Sequence, residues 1–187
     1  MLRRTLIAVM TGAPVGTAFA QVGGTELFGE KQIVKAVQEG DDEKVRAALL
    51  RRETPNQTAN NGVPLLIVAV QAGHVAVVEV LLKGGAVVDA VDREGYTALM
   101  RAVEKNDIDI ADILLRRNAN TRPQGRQGQT ALMIAAGRGN TELVRMLLEK
   151  KADPNARDYT GRTALTYARL NNRNAVEAML RRAGGKE

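Results

Sequence analysis

Apolar residues along this chain fall into short stretches with helical spacing, and those stretches recur at a fixed interval. Val77, Val80, Leu81 and Leu82 predict one buried helix face, and Ile110, Ile113, Leu114 and Leu115 predict the next. Between such stretches, Thr97-Ala98-Leu99, Thr130-Ala131-Leu132 and Thr163-Ala164-Leu165 recur with a spacing of 33 residues. Gly95, Gly128 and Gly161 each stand two residues before the threonine, and one step back Gly62, Pro64 and Leu66 hold the same places. Gly40, Gly73, Asn106, Gly139 and Asn172 form a second series, and Leu82, Leu115 and Leu148 a third. Three series that share one period mark a tandem array of identical structural units.

The residue types fit helical hairpins. A threonine hydroxyl at Thr97 and its equivalents caps the first helix of each unit. Small residues at Ala98, and at Ala102, Ala135 and Ala168, let that helix approach its neighbour. Glycine or asparagine between the two helices suits a left-handed residue. Lys151 stands where other units have Gly85 and Asn118, just after the second helix. A left-handed residue is expected there too, at a cost to the lysine.

A 33-residue period with a Thr-x-Leu-x-x-Ala start resembles the ankyrin repeat. The fullest copy runs Pro64-Leu65-Leu66-Ile67-Val68-Ala69-Val70-Gln71-Ala72-Gly73-His74, then Val77-Val78-Glu79-Val80-Leu81-Leu82 and Gly84-Gly85-Ala86. The family's usual Thr-Pro-Leu-His becomes Thr-Ala-Leu-Met or Thr-Ala-Leu-Thr in later copies. The resemblance implies an all-α solenoid of about five helix-turn-helix repeats with hairpin tips, over residues 30–185. The repeats are expected at about 30–60, 61–93, 94–126, 127–159 and 160–185. The first and last copies are degenerate and charged, with Lys31, Lys35, Asp41, Asp42, Glu43 and Lys44 in one and Arg169, Arg173, Arg181 and Arg182 in the other. They read as caps of a complete, monomeric array.

Candidate chemistry is sparse. The chain has no cysteine, no serine and one histidine, so it offers no thiolate ligand, no serine or cysteine nucleophile and no multi-histidine metal centre. His74 follows Gly73 in the Gly-His pair of the repeat and reads as a structural residue. Asp107, Asp109 and Asp112 lack the glycine turn and the twelfth-position glutamate of an EF-hand loop. They read as acids at a helix start. Gly125-Arg126-Gln127-Gly128-Gln129-Thr130 lacks the Gly-Lys-Ser/Thr ending of a phosphate loop. A non-enzyme without metal or cofactor is expected.

The first 20 residues read as an export signal. Arg3 and Arg4 precede an apolar stretch from Leu6 to Met10, and Ala18-Phe19-Ala20 fits a cleavage site. Gly12, Pro14 and Gly16 interrupt what would otherwise approach a membrane span. Cleavage after Ala20 by the ordinary secretion route is expected, leaving a short linker over 21–29, no membrane insertion, and a periplasmic (alternatively secreted) protein. Residues 21–120 carry 12 basic and 15 acidic side chains, whereas 121–187 carry 13 and 6. A dipolar molecule of this kind can orient a partner on encounter. The basic half does not imply nucleic acid, because export and rare aromatics argue against it.

The resemblance implies that a partner protein binds the turn tips and the exposed, concave side of the first helices. By position, that surface comprises Arg93, Glu94, Tyr96, Glu104, Lys105, Arg126, Gln127, Gln129, Arg138, Tyr159, Thr160 and Arg162, with Asn60, Asn61, Val63 and Gln71 at its earlier edge. Arg126, Arg138 and Arg162, with Tyr96 and Tyr159 nearby, suit an acidic patch on that partner, since arginine and tyrosine are enriched in interface hot spots. The expected role is an adaptor or protective partner of another exported protein. The alternative is an immunity-like or effector protein that binds a toxin or host target.

Overall fold

The computed structural model describes residues 32–187. The export signal, the 21–29 linker and the first residues of the first repeat lie outside them. The described residues form ten helices in five antiparallel pairs: α1 (Gln32–Glu39) with α2 (Asp42–Leu50), α3 (Leu65–Ala72) with α4 (Val75–Lys83), α5 (Ala98–Lys105) with α6 (Ile108–Arg116), α7 (Ala131–Arg138) with α8 (Thr141–Glu149), and α9 (Ala164–Leu170) with α10 (Asn174–Arg182). The first helices of successive pairs stack in one row and the second helices in another. The core lies between the rows, where Leu66, Leu81, Leu99, Leu114, Leu132 and Leu147 are almost wholly enclosed. No pair could bury its apolar face alone, so stability comes from the stacking.

The helix ends are set by the expected side chains. Thr97, Thr130 and Thr163 accept the amide hydrogens of Met100, Met133 and Thr166 at 3.3, 3.4 and 3.4 Å. On the second helices, Asp41, Asp107 and Asn140 accept from Lys44, Ile110 and Leu143 at 2.9, 3.0 and 2.9 Å. Asp107 is therefore occupied as a helix cap and Asp112 pairs with Arg116. Among the described residues, no group of three or more histidines and acids is arranged to hold a metal ion. Gly40, Gly73, Asn106, Gly139 and Asn172 all have positive φ between their helices. Ala102, Ala135 and Ala168 are fully enclosed. Ile113 departs from the expected pattern: it lies at the edge of the buried stripe and is only half-covered.

Each pair is joined to the next by a two-stranded finger that is too short for a regular sheet. Isolated bridges link Thr58 with Pro64 and Val91 with Thr97. One backbone bond recurs in all four fingers: Ala59, Asp92, Gly125 and Asp158 donate to the carbonyls of Val63, Tyr96, Gln129 and Arg162 at 2.9–3.0 Å. Gly125 and Gly128 thus belong to a finger turn, which accounts for their spacing without a phosphate.

Neighbouring repeats interlock at both ends of the inner helices. His74 packs against the bare Cα of Gly40 and donates from Nε2 to the Gln38 carbonyl at 3.2 Å. Arg173 packs on Gly139 in the same way, and Asn140 donates to Asn106 at 2.7 Å. At the finger bases, Asn56 accepts the Val87 amide at 2.8 Å, Asp89 the Asn120 amide at 2.9 Å and Asn155 the Lys186 amide at 2.8 Å. The fourth member of that series is Arg122, a side chain with no acceptor. A cavity of about 220 Å³ opens there, lined by Thr121, Arg122, Gln124, Thr130, Asp153 and Ala156.

Two stability predictions follow from these positions. Lys151 adopts φ 60°, as does Arg52 (66°) in the same place of the first repeat. Lys151→Gly is expected to stabilise the fold by about 1 kcal/mol, raising the melting temperature by about 2–4 °C; a lower midpoint would contradict it. Arg122→Asn supplies the missing acceptor for the Asp153 amide and is expected to add about 1 kcal/mol. Chemical denaturation of the two proteins measures it, and an unchanged midpoint would refute the missing-acceptor assignment.

Candidate functional site

The fingers differ from one another in a coordinated way at two positions nine residues apart. Ala59 stands with Val68, Asp92 with Arg101, Gly125 with Ile134 and Asp158 with Tyr167. Where the first member is aspartate, its carboxylate accepts the finger-tip amides and a side chain from the following helix. Asp92 accepts from the amides of Glu94 and Tyr96 at 2.9 and 3.0 Å and from Arg101 at 2.6 Å. Asp158 accepts from the amides of Thr160 and Arg162 at 2.8 and 2.9 Å and from the Tyr167 hydroxyl at 2.7 Å. Where the first member is alanine or glycine, the second is aliphatic. Tyr96 uses the space left at Gly125, where a Cβ would come within 2.7 Å of its ring.

These choices build a polar chain across three repeats on the face formed by the inner helices and finger bases. The Tyr96 hydroxyl donates to Gln129 at 3.3 Å, Gln129 donates to the Tyr167 hydroxyl at 2.8 Å, and Tyr167 donates to Asp158. Burial raises the pKa of both phenols, helped by the Glu104 carboxylate at Tyr96 and by Asp158 at Tyr167. Both therefore remain hydrogen-bond donors at neutral pH. Burial also pushes the Asp158 carboxyl up, but its hydrogen bonds from Tyr167, the Arg162 amide and Thr160 outweigh that and hold it at about 2. The tyrosine rings are thus held in fixed orientations.

On the earlier side of this chain, Arg101 is mostly enclosed and gathers three carboxylates, with Asp92 and Glu94 at 2.6 Å and Glu104 at 2.8 Å. Its guanidinium lies 4.3 Å from the Tyr96 ring centre, a cation–π contact. Burial works against its charge, and the Glu104, Glu94 and Asp92 carboxylates more than restore it. Three acids around one base leave this part of the face negative. On the later side, Arg126, Arg138 and Arg162 are exposed and have no ion-pair partner among the described residues. Between the two lies a groove of about 280 Å³ whose lining includes Tyr96, Glu104, Gln129, Ile134, Arg138 and Tyr167.

The expected partner-binding residues therefore divide. Tyr96, Glu104, Gln129 and Arg138 meet in the groove. Arg126 and Gln127 are exposed at the third finger tip, while Arg162 is exposed at the base of the fourth. Lys105 is exposed with its ammonium on the Gln71 carbonyl. Others serve their own fold: Glu94 holds Arg101, Thr160 holds Asp158 through its amide and hydroxyl, and Arg93 lies on Gly62 of the preceding finger. Tyr159 covers Gly128 yet leaves 73% of its own surface open. At the earlier edge, Asn61 accepts the Val63 amide at 3.1 Å, and Asn60 and Gln71 are exposed. Arg101, Ile134 and Tyr167 were not among the residues expected. Each stands four residues after a capping threonine, one helical turn in, where it shares a face with the finger base.

The carboxylate of Asp158 links site order to pH. Its pKa is depressed from 3.8 to about 2, so it contributes stability above pH 3.8 that is lost as pH falls towards 2. Asp158→Ala is expected to cost about 2 kcal/mol near neutral pH and much less near pH 2. Thermal melts of both proteins across that range measure it, and an equal loss at both ends would contradict the assignment.

A family model described as ankyrin repeats (3 copies) matches residues 33–125 and 117–186. The chain matches none of the curated proteins with which it was compared. The family match spans most of the chain and coincides with the helix pairs, the capping threonines and the fingers described above. By its sequence and its architecture, this chain belongs to the ankyrin-repeat family.

Proposed function

We propose that this protein is an exported adaptor or protective partner of another exported protein, which it holds through the inner face of its repeats. Ankyrin repeats are generally protein–protein interaction modules and typically do no catalysis. The observation that carries the reading is the set of three exposed guanidiniums, Arg126, Arg138 and Arg162, that the fold leaves without carboxylate partners beside a pair of hydrogen-bonded tyrosines. Arg101, on the same face, is by contrast paired with three acids. Unpaired arginines next to fixed aromatic rings suit an acidic patch on a partner, because the partner's carboxylates need displace no existing ion pair and the rings are already ordered. The N-terminal segment of Arg3, Arg4, Leu6 to Met10 and Ala18-Phe19-Ala20 supports export, and with it a periplasmic encounter.

The test compares the native chain with a variant in which Arg126, Arg138 and Arg162 are changed to glutamate. Each is cross-linked in the periplasm of its host, recovered, and read by mass spectrometry. One protein recovered with the native chain and lost with the variant is expected. Its affinity for the purified native chain should fall with salt, and that dependence should flatten in the variant. Equal recovery by both proteins would refute the arginine surface. N-terminal sequencing of the exported protein should begin at Gln21, and an intact Met1 in the periplasmic fraction would refute the cleavage.

A further inference from the structure

Gly137 is a helical glycine that the fold does not require. It lies inside α7, where glycine is less favourable than alanine, and it does not have the positive φ that its neighbour Gly139 has. It is also not needed for close packing. A Cβ at this position would meet Asn171 Nδ2 at 3.6 Å and Tyr167 Cδ1 at 3.7 Å, which are ordinary contact distances. Three glycines at repeat junctions differ. A Cβ at Gly40, Gly128 or Gly139 would come within 2.7 Å of His74, Tyr159 or Arg173. What Gly137 does provide is open space in the groove: with Ile134, Tyr96 and Tyr167 it lines a notch that a larger side chain there would narrow.

The chemistry around the notch is directional. The hydroxyls of both tyrosines are engaged with Gln129 and Asp158, so the rings offer the notch carbon rather than polar atoms. Ile134, partly exposed, adds apolar surface. Arg138, on α7, is exposed at the groove and has no ion-pair partner among the described residues. Glu104, on α5, is already engaged by Arg101. A free cation on α7 and an acid-rich group on α5 favour an incoming carboxylate at Arg138.

We propose that the notch lined by Ile134 and Gly137 receives one large apolar side chain of a partner protein, with an adjacent carboxylate of that partner held by Arg138. Gly137 is then a specificity-determining residue, kept small for the ligand and not for the fold. The inference rests on the reading of the inner face as a protein-binding surface. It names the recognised element: an aromatic or long aliphatic residue next to aspartate or glutamate.

A display library of random twelve-residue peptides, selected on the full chain, tests it. Enriched peptides should share a large apolar residue flanked by an acid. They should bind Gly137→Ala and Arg138→Ala about tenfold more weakly than the native chain, while Gly137→Ala melts at the same or a higher temperature. Enrichment without that pattern, no enrichment, or equal binding to Gly137→Ala would overturn the notch. The two readings fail separately. Recovery of an arginine-dependent exported partner that binds Gly137→Ala undiminished removes the notch alone. Peptides that require Gly137, with no exported partner recovered, remove the exported role alone.

Discussion

Every part of this molecule depends on one constraint: each helix pair must bury its apolar face against a copy of itself displaced by one repeat. A globular core can absorb an awkward side chain by rearranging distant neighbours, but a stacked array has only the units on either side. The enclosed alanines Ala102, Ala135 and Ala168 meet that constraint by keeping the inner helices close. The capping threonines and the left-handed residues at Gly73, Asn106 and Gly139 meet it by fixing where each helix starts and stops. Once these are set, the fingers project at regular intervals. Their side chains then fall into rows across the repeats.

Those rows are where the repeats cease to be equivalent. The backbone bond at the finger base is the same in all four fingers, yet the residue that donates it is alanine, aspartate, glycine and aspartate in turn. Each choice is matched nine residues later by a partner of suitable polarity. The polar chain from Tyr96 to Asp158 exists because aspartate at one position and glycine at another alternate along the array. Rigidity on this face comes from hydrogen bonds between repeats, whereas rigidity in the core comes from apolar packing within and between them.

The fold was legible because it is written several times. Thr97, Thr130 and Thr163 each report the same cap, and a chance match at one is exposed by the other two. Gly73 and Asn106 could be assigned a left-handed conformation for the same reason. The candidate site was legible only in outline. Tyr96, Glu104, Gln129 and Arg138 could be placed on the exposed face by register. Whether a side chain there is available or already engaged depends on residues of the adjacent repeat. Glu94 and Thr160 look available in sequence, but each is held by its own finger. Tyr167 looks like an interior residue of a helix, and only its contact with Asp158 and Gln129 shows it to be a wall of the groove. Arg122 reads as a surface charge, and its significance lies in being a side chain without an acceptor where the other repeats supply one to the next repeat's amide.

The fit of Tyr96 over Gly125 carries a consequence for how such an array could change in length. Loss of one whole repeat between Thr97 and Ala131 would leave every remaining helix, cap and turn in register, because the period is constant. It would also bring Asp158 into the place that Gly125 holds, setting a carboxylate where the tyrosine ring now rests at 2.7 Å from the missing Cβ. The repeats are therefore interchangeable as backbone but ordered as surface. Duplication or deletion could shorten or extend the scaffold in a single step, whereas the inner face would have to be rebuilt residue by residue afterwards.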